Sequence, residues 1–245
     1  MLSIISYGAL AGLTTTMGAV VVLLFGLPDR RGISFFLGLA AGVMLAVVVF
    51  DLLPSAFQLG TCWNVLWGLI TGGSLLWLTD HLLSLKIGIS NNGTHTFRRL
   101  GYLIALSIAM HDLPEGIAIA LGYATAEQLG PVIAMAIGIH NIPEGMATAA
   151  PLFVGGIKPS RIILLTLVVS LITPLGTALG ILLTQLVPQN ISLMLAFAAG
   201  CMLYLVIIEL LPESRRHHPK ISNLGFFMGI GLIIGVSILD KCFRG

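Results

Sequence analysis

A six-residue motif that combines histidine, proline and glutamate occurs twice in the middle of the chain. The copies are His111–Gly116, with the sequence HDLPEG, and His140–Gly145, with the sequence HNIPEG. A histidine and a glutamate four residues apart lie on one face of a helix, so each copy presents an imidazole and a carboxylate together. Proline lacks an N–H group and clashes with the carbonyl four residues before it, which predicts a distortion at Met110 and Ile139. Each copy is therefore a candidate metal-binding pair.

The donor atoms of the two motifs are imidazole nitrogens and carboxylate or amide oxygens. The two pairs can fill one four-coordinate site, whose candidate ligands are His111, Glu115, His140 and Glu144. Asp112 and Asn141 are candidate ligands of a second ion. These ligands suit Zn²⁺, Fe²⁺, Mn²⁺, Co²⁺ or Cd²⁺ and disfavour Cu⁺. Two alternatives remain: the histidines could be core residues bonded to the backbone, and Asp112 or Asn141 could bond a neighbouring helix.

Both motifs lie in a strongly apolar sequence. The chain has 245 residues, of which 57% are hydrophobic and 9% charged, and its mean hydropathy of +1.03 lies outside the range of soluble domains. A charge at the centre of a bilayer costs about 2.5–3.5 kcal/mol, and residues 100–152 contain no lysine or arginine that could pair with these carboxylates. A bound divalent cation would offset that cost. Cys62, Cys201 and Cys242 form no CxxC pair, so no thiolate zinc site or disulfide framework is indicated.

Hydropathy divides the chain into eight segments that are long enough to cross about 30 Å of hydrocarbon. Their approximate bounds are 4–27, 33–57, 63–85, 98–122, 128–152, 161–187, 191–212 and 221–241. No basic residue precedes the first segment, so we expect it to remain in the mature protein rather than to be cleaved as a signal peptide. The predicted fold class is an all-α integral membrane protein with one transmembrane domain, residues 1–245.

The basic residues predict the orientation of these segments in the membrane. Ten of the twelve lysines and arginines fall in or beside connections 1–2, 3–4, 5–6 and 7–8, while connections 2–3, 4–5 and 6–7 contain none. Lys241 and Arg244, near the C-terminus, are the other two. By the positive-inside rule the four basic connections are cytoplasmic, and both termini lie outside.

Segments 2 and 7 share an ungapped pattern. Leu39–Pro54 aligns with Phe197–Pro212, so that the following pairs match: Met44 with Met202, Asp51 with Glu209, and Pro54 with Pro212. The predicted topology makes segments 2 and 7 antiparallel, and likewise segments 4 and 5. The pattern predicts an inverted repeat of helices 1–3 and 6–8 around a central pair of helices 4 and 5, an arrangement that secondary transporters use for alternating access.

Two further residues are candidates for the path of an ion, and a third is a candidate for the site. Asp51 lies toward the outer end of segment 2 and Glu209 toward the inner end of segment 7, so they are candidates for the outer and inner approaches. Either carboxylate could instead be a helix-end group that reaches interfacial water. Met44 is a candidate for the site itself, with packing as the alternative.

The paired H-[ND]-x-P-E-G motifs in the fourth and fifth of eight predicted spans resemble the ZIP (Zrt-, Irt-like protein) family of divalent metal transporters. The resemblance covers nearly the whole chain. It implies movement of Zn²⁺ and related ions into the cytoplasm, a homodimer, and an elevator-like motion of spans 1, 4, 5 and 6 against spans 2, 3, 7 and 8. By motif, the first metal site takes the four His and Glu residues with Met44 adjoining, and the second takes Asp112 and Asn141 with Glu115 and Glu144 bridging.

The chain departs from the family pattern in span 6. Many relatives carry a glutamate directly before the proline of that span, where this chain has Thr173 before Pro174. The resemblance then implies a weakened second site, and Asp112, where asparagine is commoner, supplies a negative charge from the neighbouring helix.

The expected function is transport of divalent metal ions, Zn²⁺ first, by alternating access. The partners expected are the metal ions, the lipid bilayer and a second copy of the chain, with no nucleic acid and no prosthetic group. The short connections fit a bacterial inner membrane. The alternatives are an intramembrane metal-dependent enzyme, which the lack of HExxH or of a nucleophile beside a base disfavours, and a metal sensor that binds without transport.

Overall fold

The architecture is that of a helical bundle whose eight units follow the order of the predicted spans. The structure, a computed structural model, describes residues 2–26, 28–87, 93–125, 129–186 and 191–244, and within these ranges it contains helices and no strands. The units are α1 (Leu2–Phe25), α2 (Arg30–Val47, Val48–Leu52 and Leu53–Leu59), α3 (Cys62–Ile87), α4 (Gly93–Thr125), α5 (Leu129–Val154), α6 (Pro159–Ser170 and Ile172–Leu186), α7 (Ile191–Tyr204, Leu205–Leu210 and Leu211–His217) and α8 (Pro219–Arg244). The predicted span ends at residues 27, 128 and 187 lie outside the described residues.

Five of the described helices combine the length and the apolar composition needed to cross a membrane. They are Leu2–Phe25, Arg30–Leu59, Thr96–Ala124, Pro159–Leu183 and Ile191–Arg216, and Pro219–Gly235 is a shorter apolar helix. α3 and α5 have 26 residues each, which exceeds the roughly 20 residues that span a hydrocarbon core. Helix length is thus compatible with the eight predicted spans.

The sixth predicted span is divided into two helices at Leu171. The first helix ends at Ser170 and the second begins at Ile172. Pro174 has no N–H group to donate to the carbonyl of Ser170, four residues earlier, and its ring would clash with that carbonyl in a continuous helix. The break therefore falls one turn before the proline, beside the two polar motifs.

Each of the matched segments in α2 and α7 contains one stretch of π-helix. These stretches, Val48–Leu52 and Leu205–Leu210, directly precede the helical turns that contain Pro54 and Pro212. A π-turn is wider than an α-turn, which makes room for a proline ring near the carbonyl four residues before it. The aligned segments therefore share a backbone distortion as well as a sequence.

The helices pack in four principal pairs: α1 with α5, α4 with α6, α2 with α8, and α3 with α7. Glycines allow two of these pairs to approach closely. Gly42 of α2 faces the carbonyl of Phe226 in α8, and Gly200 of α7 faces the carbonyl of Leu69 in α3. Small residues at a crossing let helix backbones approach, which is typical of helix packing in membranes.

The outer surface of the bundle is apolar. On the described part of α6 the exposed large apolar side chains recur at helical spacing, and they are Leu164, Leu167, Val168, Leu171, Leu175, Leu179 and Leu182. The buried core lies between α2, α4 and α7 and includes Leu37, Met44, Leu103, Ile108 and Met202. A helical bundle with apolar side chains on its outer surface and ionisable residues in its interior is typical of a protein surrounded by lipid.

Candidate metal centre

The six polar residues of the two motifs are buried between α4 and α5. His111, Asp112, Glu115, His140, Asn141 and Glu144 are each at most 4% exposed. The fourth-residue spacing places the histidine and glutamate of each motif one helical turn apart. The structure therefore brings all six predicted residues into the interior of the bundle.

The histidine of each motif contacts the glutamate of the other. The Nε2 atom of His111 lies 3.2 Å from Oε2 of Glu144, and Nε2 of His140 lies 3.2 Å from Oε2 of Glu115. These two contacts join α4 to α5 symmetrically. The facing surfaces of the two helices thus carry two imidazoles and two carboxylates at hydrogen-bonding distance.

Asp112 connects this group to α6. Its Oδ1 atom lies 3.6 Å from Nε2 of His111, and its Oδ2 atom accepts a hydrogen bond of 3.2 Å from the hydroxyl of Thr173. Among the described residues, His111, Asp112 and Glu115 form a group whose ligand atoms all lie within 4.8 Å of one another. Three candidate donor residues of one helix therefore lie close together.

Asn141 takes the equivalent position toward α1. Its side-chain nitrogen donates a hydrogen bond of 3.2 Å to the carbonyl of Ala11. Five residues further along α1, the hydroxyl of Thr16 lies 2.9 Å from the hydroxyl of Ser170 in α6. Polar side chains of α1 and α6 thus flank the motifs of α5 and α4.

Several acceptor atoms of this cluster are buried without a hydrogen-bond partner. They are Oδ1 of Asp112, Oε1 of Glu115, Oδ1 of Asn141 and Oε1 of Glu144. A buried oxygen left in this state is costly, and a buried carboxylate more so. A divalent cation among these oxygens would remove that cost, and the nitrogen and oxygen donors match the preferences of Zn²⁺ and its neighbours.

The final glycine of each motif permits the packing that surrounds the cluster. Gly116 of α4 faces the carbonyl of Thr173 in α6, and Gly145 of α5 faces the carbonyl of Thr15 in α1. A side chain at either glycine would meet backbone atoms, which cannot rotate away. The glycines therefore set the distance at which α6 and α1 approach the site.

The three other predicted residues lie on α2 and α7 rather than on the two motif helices. Met44 is buried in the apolar core, and Asp51 is exposed within the π-helical stretch of α2. Glu209 lies in the corresponding stretch of α7, where its Oε1 atom is 3.1 Å from Nη2 of Arg99. Roles for these residues in binding or conduction remain predictions.

Arg99, near the start of α4, joins three helices through an ion cluster. Besides Glu209, its guanidinium pairs with the carboxylate of Asp80 in α3. The hydroxyl of Tyr204 in α7 donates a hydrogen bond of 3.1 Å to the same Asp80 carboxylate. The cluster therefore fixes α4 against α3 and α7 at the end of the bundle that the topology predicts to be cytoplasmic.

Replacing Arg99 by glutamine is expected to lower the free energy of unfolding by about 1–3 kcal/mol. Two partly buried carboxylates would lose their shared cation, a loss between that of exposed pairs and that of fully buried ones. Thermal unfolding in detergent measures the change. Arg216→Gln is the matched control, because Arg216 is 69% exposed and its nitrogen lies 3.6 Å from Glu213; equal losses in both variants would contradict a structural role for the Arg99 cluster.

The sequence pattern alone did not reveal two contacts of this region. In the sequence, the basic residues of connection 3–4 indicate only the membrane topology. The pattern therefore does not predict the pairing of Arg99 with Asp80. Thr15, which adjoins Gly145, is a small hydroxyl residue in an apolar helix and carries no metal-ligand signal. Thr15 lies 158 residues before Thr173, the same spacing as between Asp51 and Glu209. This shared spacing is the sequence signal that marks Thr15 as the counterpart of Thr173 in the predicted repeat.

Comparison with known proteins identifies the family. The family model described as "ZIP Zinc transporter" matches residues 89–237. The chain is 33% identical to the zinc transporter ZupT of Chlorobium limicola in an alignment that covers 94% of each chain. It is 31% identical to the zinc transporter ZupT of Corynebacterium efficiens, with 94% of this chain and 93% of the relative covered.

A relative with a different name gives the same result. The chain is 33% identical to the zinc transporter GufA of Myxococcus xanthus over 221 residues, which cover 84% of this chain and 86% of the relative. These relatives are named as transporters rather than enzymes, and the long apolar helices fit an integral membrane protein. With its two histidine–glutamate motifs on adjacent helices, this chain belongs to the ZIP zinc transporter family.

Proposed function

We propose that this protein transports Zn²⁺ across a membrane into the cytoplasm, by alternating access at the site between α4 and α5. The observation that carries the proposal is the pair of symmetric contacts at 3.2 Å, His111 with Glu144 and His140 with Glu115, inside an apolar bundle. Buried carboxylates are stabilised when a divalent ion binds among them. The names of the relatives, zinc transporters, support Zn²⁺ as the ion.

The helix packing supports an inverted repeat. The proposed repeat relates α1 to α6, α2 to α7 and α3 to α8, and it exchanges α4 with α5. Under this exchange the pair α2–α8 becomes α7–α3, and the pair α1–α5 becomes α6–α4; all four are principal contacts of the bundle. Two similar halves can adopt two states of similar energy, one open to each side, around a central site.

Glycine contacts give the repeat a residue-level counterpart. Gly116 faces the carbonyl of Thr173, and Gly145 faces that of Thr15. In the same way, Gly176 faces the carbonyl of Leu113, and Gly18 faces that of Ile142. Residues of α1 match those of α6 at a spacing of 158, and residues of α4 match those of α5 at a spacing of 29. With this matching, each glycine contact between α4 and α6 has a counterpart between α5 and α1, which supports symmetry around the proposed metal site.

We further propose eight spans with both termini outside, and a bacterial inner membrane as the location. The proposal rests on the ten basic residues in alternate connections. An ion would enter past Asp51 and leave past Glu209, with α1, α4, α5 and α6 moving against the other four helices. The homodimer and the transport of Fe²⁺, Mn²⁺, Co²⁺ or Cd²⁺ belong to the same proposal and rest on the family resemblance and on the donor set.

Flux of ⁶⁵Zn²⁺ into proteoliposomes that contain the purified chain tests the proposal. We expect protein-dependent uptake that saturates with Zn²⁺ and that unlabelled Cd²⁺, Fe²⁺, Mn²⁺ or Co²⁺ reduces in proportion to its affinity. Protein-free liposomes of the same lipid are the control. Tight Zn²⁺ binding without flux would overturn the proposal and favour a sensor, the alternative that binds without transport.

A further inference from the structure

The two oxygens of the Asp112 carboxylate have different surroundings. Oδ2 accepts the hydrogen bond from Thr173, whereas Oδ1 has no hydrogen-bond partner and lies 3.6 Å from Nε2 of His111. We propose that Thr173 is a positioning residue, whose hydroxyl holds Asp112 so that Oδ1 becomes a ligand of the same ion that His111 and Glu144 bind. This inference rests on the proposed function and assigns Asp112 to the first ion instead of a separate second one.

The distances within the cluster allow one ion to be shared. Nitrogen and oxygen ligands lie about 2.0–2.2 Å from a Zn²⁺ ion, so two ligands of one ion are at most about 4.4 Å apart. Oδ1 of Asp112 at 3.6 Å and Oε2 of Glu144 at 3.2 Å from the same His111 nitrogen both satisfy this limit. Asp112 and Glu144 are therefore both close enough to His111 to share an ion with it.

Burial, backbone contacts and side-chain branching all restrict the position of the Thr173 hydroxyl. The side chain is fully buried, and the backbone carbonyl of Thr173 accepts a hydrogen bond of 3.0 Å from Thr177 while it faces Gly116 of α4. Threonine is also restricted in its χ1 angle, because two heavy atoms branch at Cβ. The donor is thus held by α6 and restricts rotation of the Asp112 carboxylate on α4.

Removal of this donor has a specific consequence for binding. In Thr173→Val, which keeps the branched shape, Oδ2 of Asp112 is left buried without a donor and the carboxylate is free to rotate. A hydrogen bond to a charged group is stronger than a neutral one, so we expect the affinity for Zn²⁺ to fall by about tenfold. Thr173→Ser retains the hydroxyl, and we expect its affinity to remain within about twofold of the unaltered chain.

A double-mutant cycle measured by calorimetry on the full chain in detergent, with Zn²⁺ as the probe, tests the proposal. If Thr173 acts through Asp112, then Thr173→Val should change the affinity by less than about twofold when Asp112→Ala is already present. Equal tenfold losses in both backgrounds, a Thr173→Ser variant as weak as Thr173→Val, or a Thr173→Val variant of normal affinity would each overturn it. Melting temperatures of all variants show that each is folded.

The same measurement separates this inference from the proposed function. If the unaltered chain binds Zn²⁺ and transports it but the cycle is additive, only the positioning role of Thr173 fails. If the unaltered chain neither binds Zn²⁺ in detergent nor transports it in proteoliposomes, the proposed function fails and this inference with it.

Discussion

Zinc uptake is expected to fall by about a hundredfold or more when Glu115 is replaced by glutamine. The substitution keeps the size of the side chain but replaces the carboxylate of a proposed ligand by a neutral amide in the buried cluster, where Oε2 of Glu115 lies 3.2 Å from Nε2 of His140. Changes to groups that merely support a metal ligand already reduce affinity or activity by about 10–100-fold, so loss of a ligand should cost at least as much. Flux of ⁶⁵Zn²⁺ into proteoliposomes measures the effect.

Two further variants make this result specific. Glu144→Gln should reduce uptake to a similar extent, because Glu144 makes the equivalent contact with His111 on the other helix. Glu213→Gln should leave uptake unchanged, since its carboxylate pairs with the exposed Arg216 outside the cluster. Near-normal uptake by Glu115→Gln would overturn the assignment of the site.

The motifs predicted the composition of the candidate site because helix geometry is local. A spacing of four residues places His111 beside Glu115, and His140 beside Glu144, whatever the rest of the chain does. The spacing does not determine how α4 is rotated against α5. The contacts of each histidine with the glutamate of the other motif depend on that rotation, which packing against α1 and α6 sets.

The contact between Asp112 and Thr173 shows where sequence reasoning stops. The two residues are 61 positions apart. A threonine in an apolar helix is usually a packing residue, or its hydroxyl donates a hydrogen bond to a carbonyl of its own helix. The contact requires α6 to lie directly against α4, which Gly116 and Gly176 allow. The resemblance to the ZIP family implies that position 173 and Asp112 belong to one site, but the hydrogen bond between them is visible only once the packing of α6 on α4 is known.

The sequence predicted a distortion before Pro114 and Pro143, but both prolines lie inside the continuous helices α4 and α5; the departures from regular α-helix occur before other prolines. Pro54, Pro174 and Pro212 each disfavour a regular helix in the turn before them, and the backbone departs from regular α-helix before all three. Before Pro54 and Pro212 it widens into π-helix, whereas before Pro174 it breaks at Leu171. The difference depends on tertiary surroundings: at the break, the carbonyl of Ser170 faces Gly12 of α1.

Replacing Gly145 by alanine is expected to destabilise the protein strongly and to reduce transport with it. The new Cβ atom would meet the Thr15 carbonyl of α1, with the carbonyl carbon at 2.7 Å and Cα at 3.1 Å. These are backbone atoms, so α1 must move away from α5, which also strains the bond from Asn141 to Ala11. Overpacking of this kind costs about 1–3 kcal/mol, equivalent to a fall in melting temperature of roughly 2–12 °C for a chain of this size.

Gly231→Ala provides the matched control for the Gly145 substitution, because both glycines are inside helices and change in the same way. A Cβ atom at Gly231 would have no neighbour within 4 Å, and alanine is preferred over glycine in a helix by about 0.5–1 kcal/mol. Thermal unfolding of the two variants in the same detergent should therefore shift in opposite directions. Equal melting temperatures would mean that the approach of α1 to the second motif does not depend on the missing side chain, and that the glycine of the motif serves another purpose.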